Sequence, residues 1–235
     1  MLKFFPTLFL GRPLLQAGKP LAEAKAAMIL IHGRGANARA ILGLYTVLPH
    51  PDMAYLAPEA LDGSWYPYSF LSPTERNEPY LSEALQMIAA LVAQVEEAGI
   101  PPERIILGGF SQGACLASEF VARHARRYGG LLVFSGGVIG PLGTPRNYPG
   151  SLESTPVFIG CSDVDEHIPL ERVHETAEVF TQLGARVTKK IYPGMGHTVN
   201  KDEVDHAREI VKEVVTSFTE KIGKLSGLPL HGKAH

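Results

Sequence analysis

The segment Gly109-Phe110-Ser111-Gln112-Gly113 sets a serine between two glycines, each two residues away. It follows a strand-favouring apolar run, Ile105-Ile106-Leu107, and precedes apolar residues at helical spacing, Ala114, Leu116, Ala117, Phe120 and Val121. Strand, tight turn and helix therefore meet at Ser111, the context that a Gly-x-Ser-x-Gly nucleophile requires. A turn this sharp leaves no room for side chains two residues either side of the serine, and the hydroxyl points outward. The Gln112 amide, at the start of the helix, is placed to donate to a developing oxyanion. The same five residues also describe a glycine-rich turn with a capping serine, so the rest of the chain has to decide.

A serine hydroxyl is a poor nucleophile near neutral pH and needs a base within about 3 Å, steadied by a third group. His197 sits in Tyr192-Pro193-Gly194-Met195-Gly196-His197, directly after the last strand-like run, where two glycines free the backbone to carry the imidazole over a sheet. His124 and His174 fall on expected helices, and His231 and His235 in the tail. For the acid, the stretch Gly160-Cys161-Ser162-Asp163-Val164-Asp165-Glu166-His167-Ile168-Pro169 offers Asp163 and Asp165, and spacing does not choose between them. An early turn, His32-Gly33-Arg34-Gly35, has the form of the second half of an oxyanion hole, with the Arg34 amide as donor. The bland reading of each is a surface histidine or a glycine-rich turn. All four in one workable order make accident a poor explanation.

These residues need elements to hold them. Ala26-Ala27-Met28-Ile29-Leu30-Ile31 and Leu131-Leu132-Val133-Phe134 are unbroken apolar runs, as in strands covered on both faces. Met53 to Ala57 and Pro156 to Gly160 read as further strands, and Val187 to Tyr192 as an exposed edge strand because of its lysines. Helices are expected over about ten residues through Leu42 and Val47, over 82–98, over 170–183, and from Asn200, where Glu203 completes a capping box. Residues 1–20 suggest an edge hairpin. The apolar start only superficially resembles a signal peptide, since Pro6 interrupts it. Strands alternating with helices imply an α/β fold, a mostly parallel sheet wrapped on both faces, with its site at the strands' carboxyl ends. The segment 58–80 is a long loop, unusually aromatic at Trp65, Tyr66 and Phe70. Its aromatic residues either plug the core or wall a pocket. The stretch 138–154 leaves no room for a large lid, and the tail 223–235 is expected to fray.

At 235 residues and 45% hydrophobic composition the chain suits one domain with a substantial core. A net charge of -2 with scattered basic residues gives no field for nucleic acid. No apolar run reaches the roughly 18 residues of a spanning helix. Two cysteines, one of them Cys115 on the helix after Ser111, fit a reducing compartment and a cytoplasmic protein. Histidines and cysteines lack zinc-ligand spacing, so neither a metal nor an organic cofactor is expected.

Taken together, Leu30-Ile31-His32-Gly33, Gly109 through Ala114, Asp165 through Pro169 and Gly196-His197 resemble the phospholipase/carboxylesterase family of the α/β-hydrolase superfamily, from about residue 25 to 218. The family's Asp-x-x-Val-Pro signature corresponds to Asp165-Glu166-His167-Ile168-Pro169, so the resemblance implies Asp165 as the acid. It implies Ser111 as nucleophile, His197 as base, and the Arg34 and Gln112 amides as the oxyanion hole. The expected activity is a serine carboxylesterase acting on short- to medium-chain esters. Lysophospholipase or acyl thioesterase activity on the same triad is the alternative within enzymes, and a non-catalytic ligand-binding protein the alternative outside them. Trp65, Tyr66, Phe70, Ile168 and Met195 are expected pocket walls, and the partner is a small-molecule ester, with a homodimer possible. Position 34 is commonly leucine in the family, so Arg34 is expected to favour anionic or polar-headed esters.

Overall fold

The computed structural model describes residues 5–226. Eight strands form one sheet: β1 (Phe5–Phe9), β2 (Arg12–Gly18), β3 (Ala26–Ile31), β4 (Met53–Pro58), β5 (Ile105–Phe110), β6 (Gly130–Phe134), β7 (Pro156–Ser162) and β8 (Arg186–Tyr192). Their spatial order is β1-β2-β4-β3-β5-β6-β7-β8. β2 runs antiparallel to both neighbours, and every pair from β4 through β3 to β8 is parallel. The edge hairpin turns through Leu10 and Gly11, both at positive φ.

Among the described residues five α-helices cover the sheet: α1 (Ala38–Leu42), α2 (Tyr80–Glu97), α3 (Gln112–Arg123), α4 (Leu170–Gln182) and α5 (Lys201–Ser226). The side-chain period of a strand decides which helix meets which residue. On β3, Ala27, Ile29 and Ile31 enter the core under α2, α3 and α4, while Ala26, Met28 and Leu30 enter the core under α1 and α5. That is why the central strands read as unbroken apolar runs. Small residues let α5 lie close to the sheet: a Cβ on Gly130 would stand 2.6 Å from Ile210.

Two expectations of length change. The helix expected through Val47 is a five-residue α1 followed by a 3-10 turn, Gly43–Thr46, because the chain tightens at Gly43 instead of continuing. Residues 223–226, expected in a frayed tail, continue α5, and residues 227–235 lie outside the described residues. The helix caps follow the expected chemistry. α2 closes at Gly99, with φ 93, and the Ile100 amide reaches back to Val95 O at 3.3 Å. At α5 the Glu203 N–H donates to Asn200 Oδ1 at 3.0 Å, and the Asn200 N–H donates to Glu203 Oε2 at 2.7 Å, a reciprocal capping box. Among the described residues there is no large separate lid domain, and no helix is long and apolar enough to cross a membrane.

Candidate active site

The parallel strands β3, β5, β7 and β8 all deliver their following loops to one edge of the sheet. Between β5 and α3 the chain reverses at Ser111, held at φ 55 and ψ -122, a conformation that costs a non-glycine residue about 1–3 kcal/mol. Its surroundings enforce the strain. A Cβ on Gly113 would lie 2.1 Å from Ile31 O and 2.5 Å from His32 O, and one on Gly109 would lie 2.5 Å from Gly113 C. The Ser111 N–H donates to Phe134 O at 3.0 Å and the Cys115 N–H to Ser111 O at 3.0 Å, which ties the turn to both β6 and α3. The hydroxyl makes no cap to the helix it precedes.

His197 arrives on the loop after β8. Its Nδ1 lies 2.7 Å from Asp165 Oδ2, on the loop after β7, and the imidazole packs against Phe110 with ring centroids 4.8 Å apart. The carboxylate side chain is fully buried and the imidazole side chain 16% exposed. Asp165 Oδ1 accepts the amides of His167 at 2.9 Å and Ile168 at 3.0 Å. Burial alone would raise the Asp165 carboxyl, but the His197 hydrogen bond and these two amides outweigh it and hold the group below its ordinary value. A carboxylate can only accept, so Nδ1 carries the proton and Nε2 is left with its lone pair. Ser111 Oγ has no hydrogen bond to the imidazole among the described residues, although both line one cavity of about 640 Å³. Contacts of this kind are often long in unliganded enzymes and tighten when substrate binds.

Asp163, the other carboxylate, does not meet the imidazole. It accepts the Gly194 amide at 2.8 Å, while Ser162 Oγ accepts the Gly196 amide at 3.1 Å. The acid loop thus grips the loop that carries His197 at two main-chain points.

The early turn packs against Ser111, where a Cβ on Gly33 would lie 3.3 Å from Ser111 Cβ. His32 is buried, with Nδ1 2.8 Å from Gly33 O and Nε2 accepting the Ala60 amide at 3.0 Å. Burial, partly offset by the Gly33 carbonyl, pushes its pKa down, so His32 stays neutral and fixes the turn that presents Arg34. The Gly35 amide continues the brace to Gly63 O at 2.8 Å. The N–H of Gln112 belongs to the first turn of α3 and has no intrahelical acceptor. The Gln112 side chain, which sequence reasoning left without a role, spans the gap to the aromatic loop. Its Oε1 accepts the Trp65 amide at 3.0 Å and its Nε2 donates to Tyr66 O at 2.8 Å.

The Arg34 side chain reaches the aromatic loop. Its Nη1 donates to Ser64 Oγ and Pro67 O, each at 2.9 Å, and its Nη2 to Tyr66 O and Tyr68 O, each at 2.8 Å. The guanidinium is held by main-chain and hydroxyl acceptors of the aromatic loop, and Arg34 also lines the cavity. Of the expected walls, Tyr66, Phe70 and Ile168 line the cavity, joined by Cys115 and His167. Trp65 and Met195 do not line it. The Trp65 indole N–H donates to His32 O at 2.8 Å and the side chain is buried beneath the turn, while Met195 Sδ faces Asn200 Nδ2 at 2.9 Å. His167, which carried no signal beyond its place in the acid loop, stands edge-on to His197 with ring centroids 4.7 Å apart. Among the described residues no cluster of histidine, cysteine, aspartate and glutamate could hold a metal ion.

A family model described as Phospholipase/Carboxylesterase matches residues 16–215, most of the chain. The chain belongs to the phospholipase/carboxylesterase family. Among curated members, acyl-protein thioesterase 1 of Gibberella zeae is 32% identical over 129 residues, covering 52% of this chain and 53% of that protein. Acyl-protein thioesterase 1 of Debaryomyces hansenii is 24% identical over 227 residues, covering 86% of this chain and 97% of that protein. The matched region therefore spans about half of the first relative's length and nearly all of the second's. Among solved structures, a phospholipase/carboxylesterase from Dyadobacter fermentans superposes with a TM-score of 0.82 at 42% identity, covering 85% of this chain and 96% of that one. Family membership carries with it the α/β-hydrolase fold.

Proposed function

We propose that this chain is a serine carboxylesterase that hydrolyses short- to medium-chain esters through an acyl-enzyme on Ser111. The observation that carries the reading is the 2.7 Å contact between Asp165 and His197, which faces the cavity where the strained Ser111 stands. Because Asp165 holds the proton on Nδ1, Nε2 is free to take the serine proton as Oγ attacks the ester carbonyl. The carbonyl oxygen gains charge and is held by the Arg34 and Gln112 amides, a contribution of about 3 kcal/mol per donor. The carbon–oxygen bond to the alcohol then breaks, and the imidazolium gives its proton to the departing oxygen. Water, deprotonated by the same imidazole, attacks the acyl-enzyme, and Ser111 recovers its proton.

The chain-length expectation rests on the aromatic loop. Arg34 and Gln112 fasten it across the cavity, and Trp65 is packed under it, so the wall at Tyr66 and Phe70 is fixed in place. The second reading is acyl thioesterase or lysophospholipase activity on the same residues, which the names of the thioesterase relatives favour. A panel of esters and thioesters from acetyl to palmitoyl separates the two. Highest kcat/KM at acetyl to hexanoyl oxygen esters supports the carboxylesterase reading, and highest kcat/KM on palmitoyl thioesters replaces it with the second. Failure of folded protein to turn over any member, with Ser111→Ala indistinguishable from it, leaves a ligand-binding member of the fold.

A further inference from the structure

A second cavity of about 440 Å³ adjoins the first on the far side of His197. The two share Gly33, Ala36, Phe110 and His197, so they meet at the imidazole. The second is walled by Ala40, Ile41 and Leu44 from α1 and the turn after it, and by Val199 from the loop beyond His197. Among the described residues no lysine, arginine, aspartate or glutamate lines it, and its polar side chains are those of His32, His197 and Thr198. Ser111, Arg34 and Gln112 line only the first cavity.

That division of residues assigns the two halves of a substrate. The carbonyl carbon bonds to Ser111 Oγ and its oxygen points to the Arg34 and Gln112 amides, so the acyl chain lies in the cavity those residues line. The departing oxygen lies beside the imidazole that protonates it, so whatever it carries continues past His197. We infer that the cavity between α1 and Val199 is the alcohol subsite, and that it selects esters of uncharged alkyl alcohols. The proposal rests on the esterase reading and specifies its substrate class on the leaving-group side. Leu44, Phe110 and Val199 are partly buried apolar residues packed on the core, with apolar surface left for a chain to cover. Each methylene placed there contributes a factor of about three to four in kcat/KM, the increment for removing one CH₂ from water.

Gly43 offers a direct probe. It borders the subsite at φ -55, ordinary helical backbone, and a Cβ built there meets nothing within 4 Å. Gly43→Leu therefore adds an apolar side chain at the cavity wall without backbone strain. The test measures kcat/KM for methyl, butyl and hexyl butyrate, and separately for methyl butyrate, hexanoate and octanoate. In wild type the hexyl-to-methyl ratio on butyrate is expected to exceed tenfold. Gly43→Leu lowers that ratio at least tenfold while the octanoate-to-butyrate ratio stays within twofold. Leu44→Ala, which removes a wall instead of adding one, also lowers the hexyl preference and decides the matter if the first variant fails to fold. A flat alcohol series in an active wild type, or a change confined to the acyl series, overturns the alcohol subsite and leaves the esterase reading intact. No turnover of any ester by folded wild type overturns both.

Discussion

Replacing Arg34 with alanine separates two accounts of the same cation. The guanidinium makes four hydrogen bonds, to Ser64 Oγ and to the carbonyls of Tyr66, Pro67 and Tyr68. At about 1 kcal/mol net apiece these sum to roughly 4 kcal/mol. Most are solvent-exposed, so water takes over the freed acceptors and the expected loss is about 1–2 kcal/mol. For a chain of this size that lowers Tm by roughly 2–8 °C. Function suffers through the cavity wall, because the clamped carbonyls neighbour the Tyr66 and Phe70 side chains that form it. The Arg34 amide survives in alanine, so the oxyanion donor remains and the damage falls mainly on KM, with kcat/KM down about tenfold. The assay pairs a neutral ester with one of equal size ending in a carboxylate, at low and high salt. A clamp predicts the same factor for both esters, and no rescue by Arg34→Lys, since an ammonium lacks the planar fork that meets four acceptors. Loss confined to the anionic ester, suppressed by salt and restored by lysine, would refute the clamp.

Other outcomes follow from single contacts. Asp165→Asn is expected to lower kcat by about 10³–10⁴ with little change in KM, because an amide favours the wrong imidazole tautomer; steady-state kinetics on a good ester measures it. Asp163→Ala, which frees the Gly194 amide but leaves Asp165 in place, is expected to cost about tenfold, so a loss equal to that of Asp165→Asn contradicts the assignment of the two carboxylates. Gly113→Ala puts a methyl 2.1 Å from Ile31 O, and denaturant titration should show a loss of more than about 3 kcal/mol or no folded protein. Glu203 is buried with Oε1 unpartnered, and burial first, with Asp202 adding to it, raises its carboxyl from 4.5 to about 7. Below 4.5 both folded and unfolded chains hold the proton; between there and about 7 only the folded chain does, so rising pH removes stability, by up to about 3 kcal/mol. Glu203→Gln should flatten Tm between pH 5 and about pH 8, and an unchanged slope refutes this origin.

The sheet was legible because burial on two faces leaves β3, β5 and β6 no polar alternation, and the turn at Ser111 because only glycine fits against Ile31 O and His32 O. The His197 loop was legible for a similar reason: Gly194 and Gly196 both adopt positive φ there. The choice between Asp163 and Asp165 was not legible from spacing, since it depends on where the Gly194 amide comes to rest, and only the family resemblance favoured one of them. The clamp made by Arg34 was not legible because its acceptors are mostly main-chain carbonyls, which no residue type announces. Trp65 misled because an aromatic residue in a loop has two ways to hide from water. A carbonyl acceptor on His32 drew its indole inward, and Tyr66 and Phe70 were left to face the cavity. Met195 followed the side-chain amide of Asn200 and turned to the start of α5.

The central claim is that Ser111 is an activated nucleophile, and covalent capture tests it most directly. Folded wild type is treated with a fluorophosphonate and digested, and the adduct is mapped by mass spectrometry beside Ser111→Ala handled identically. One phosphonyl group on the peptide containing Ser111, absent from the variant, is the predicted result. An unlabelled wild type, or an adduct that persists in Ser111→Ala, contradicts the account.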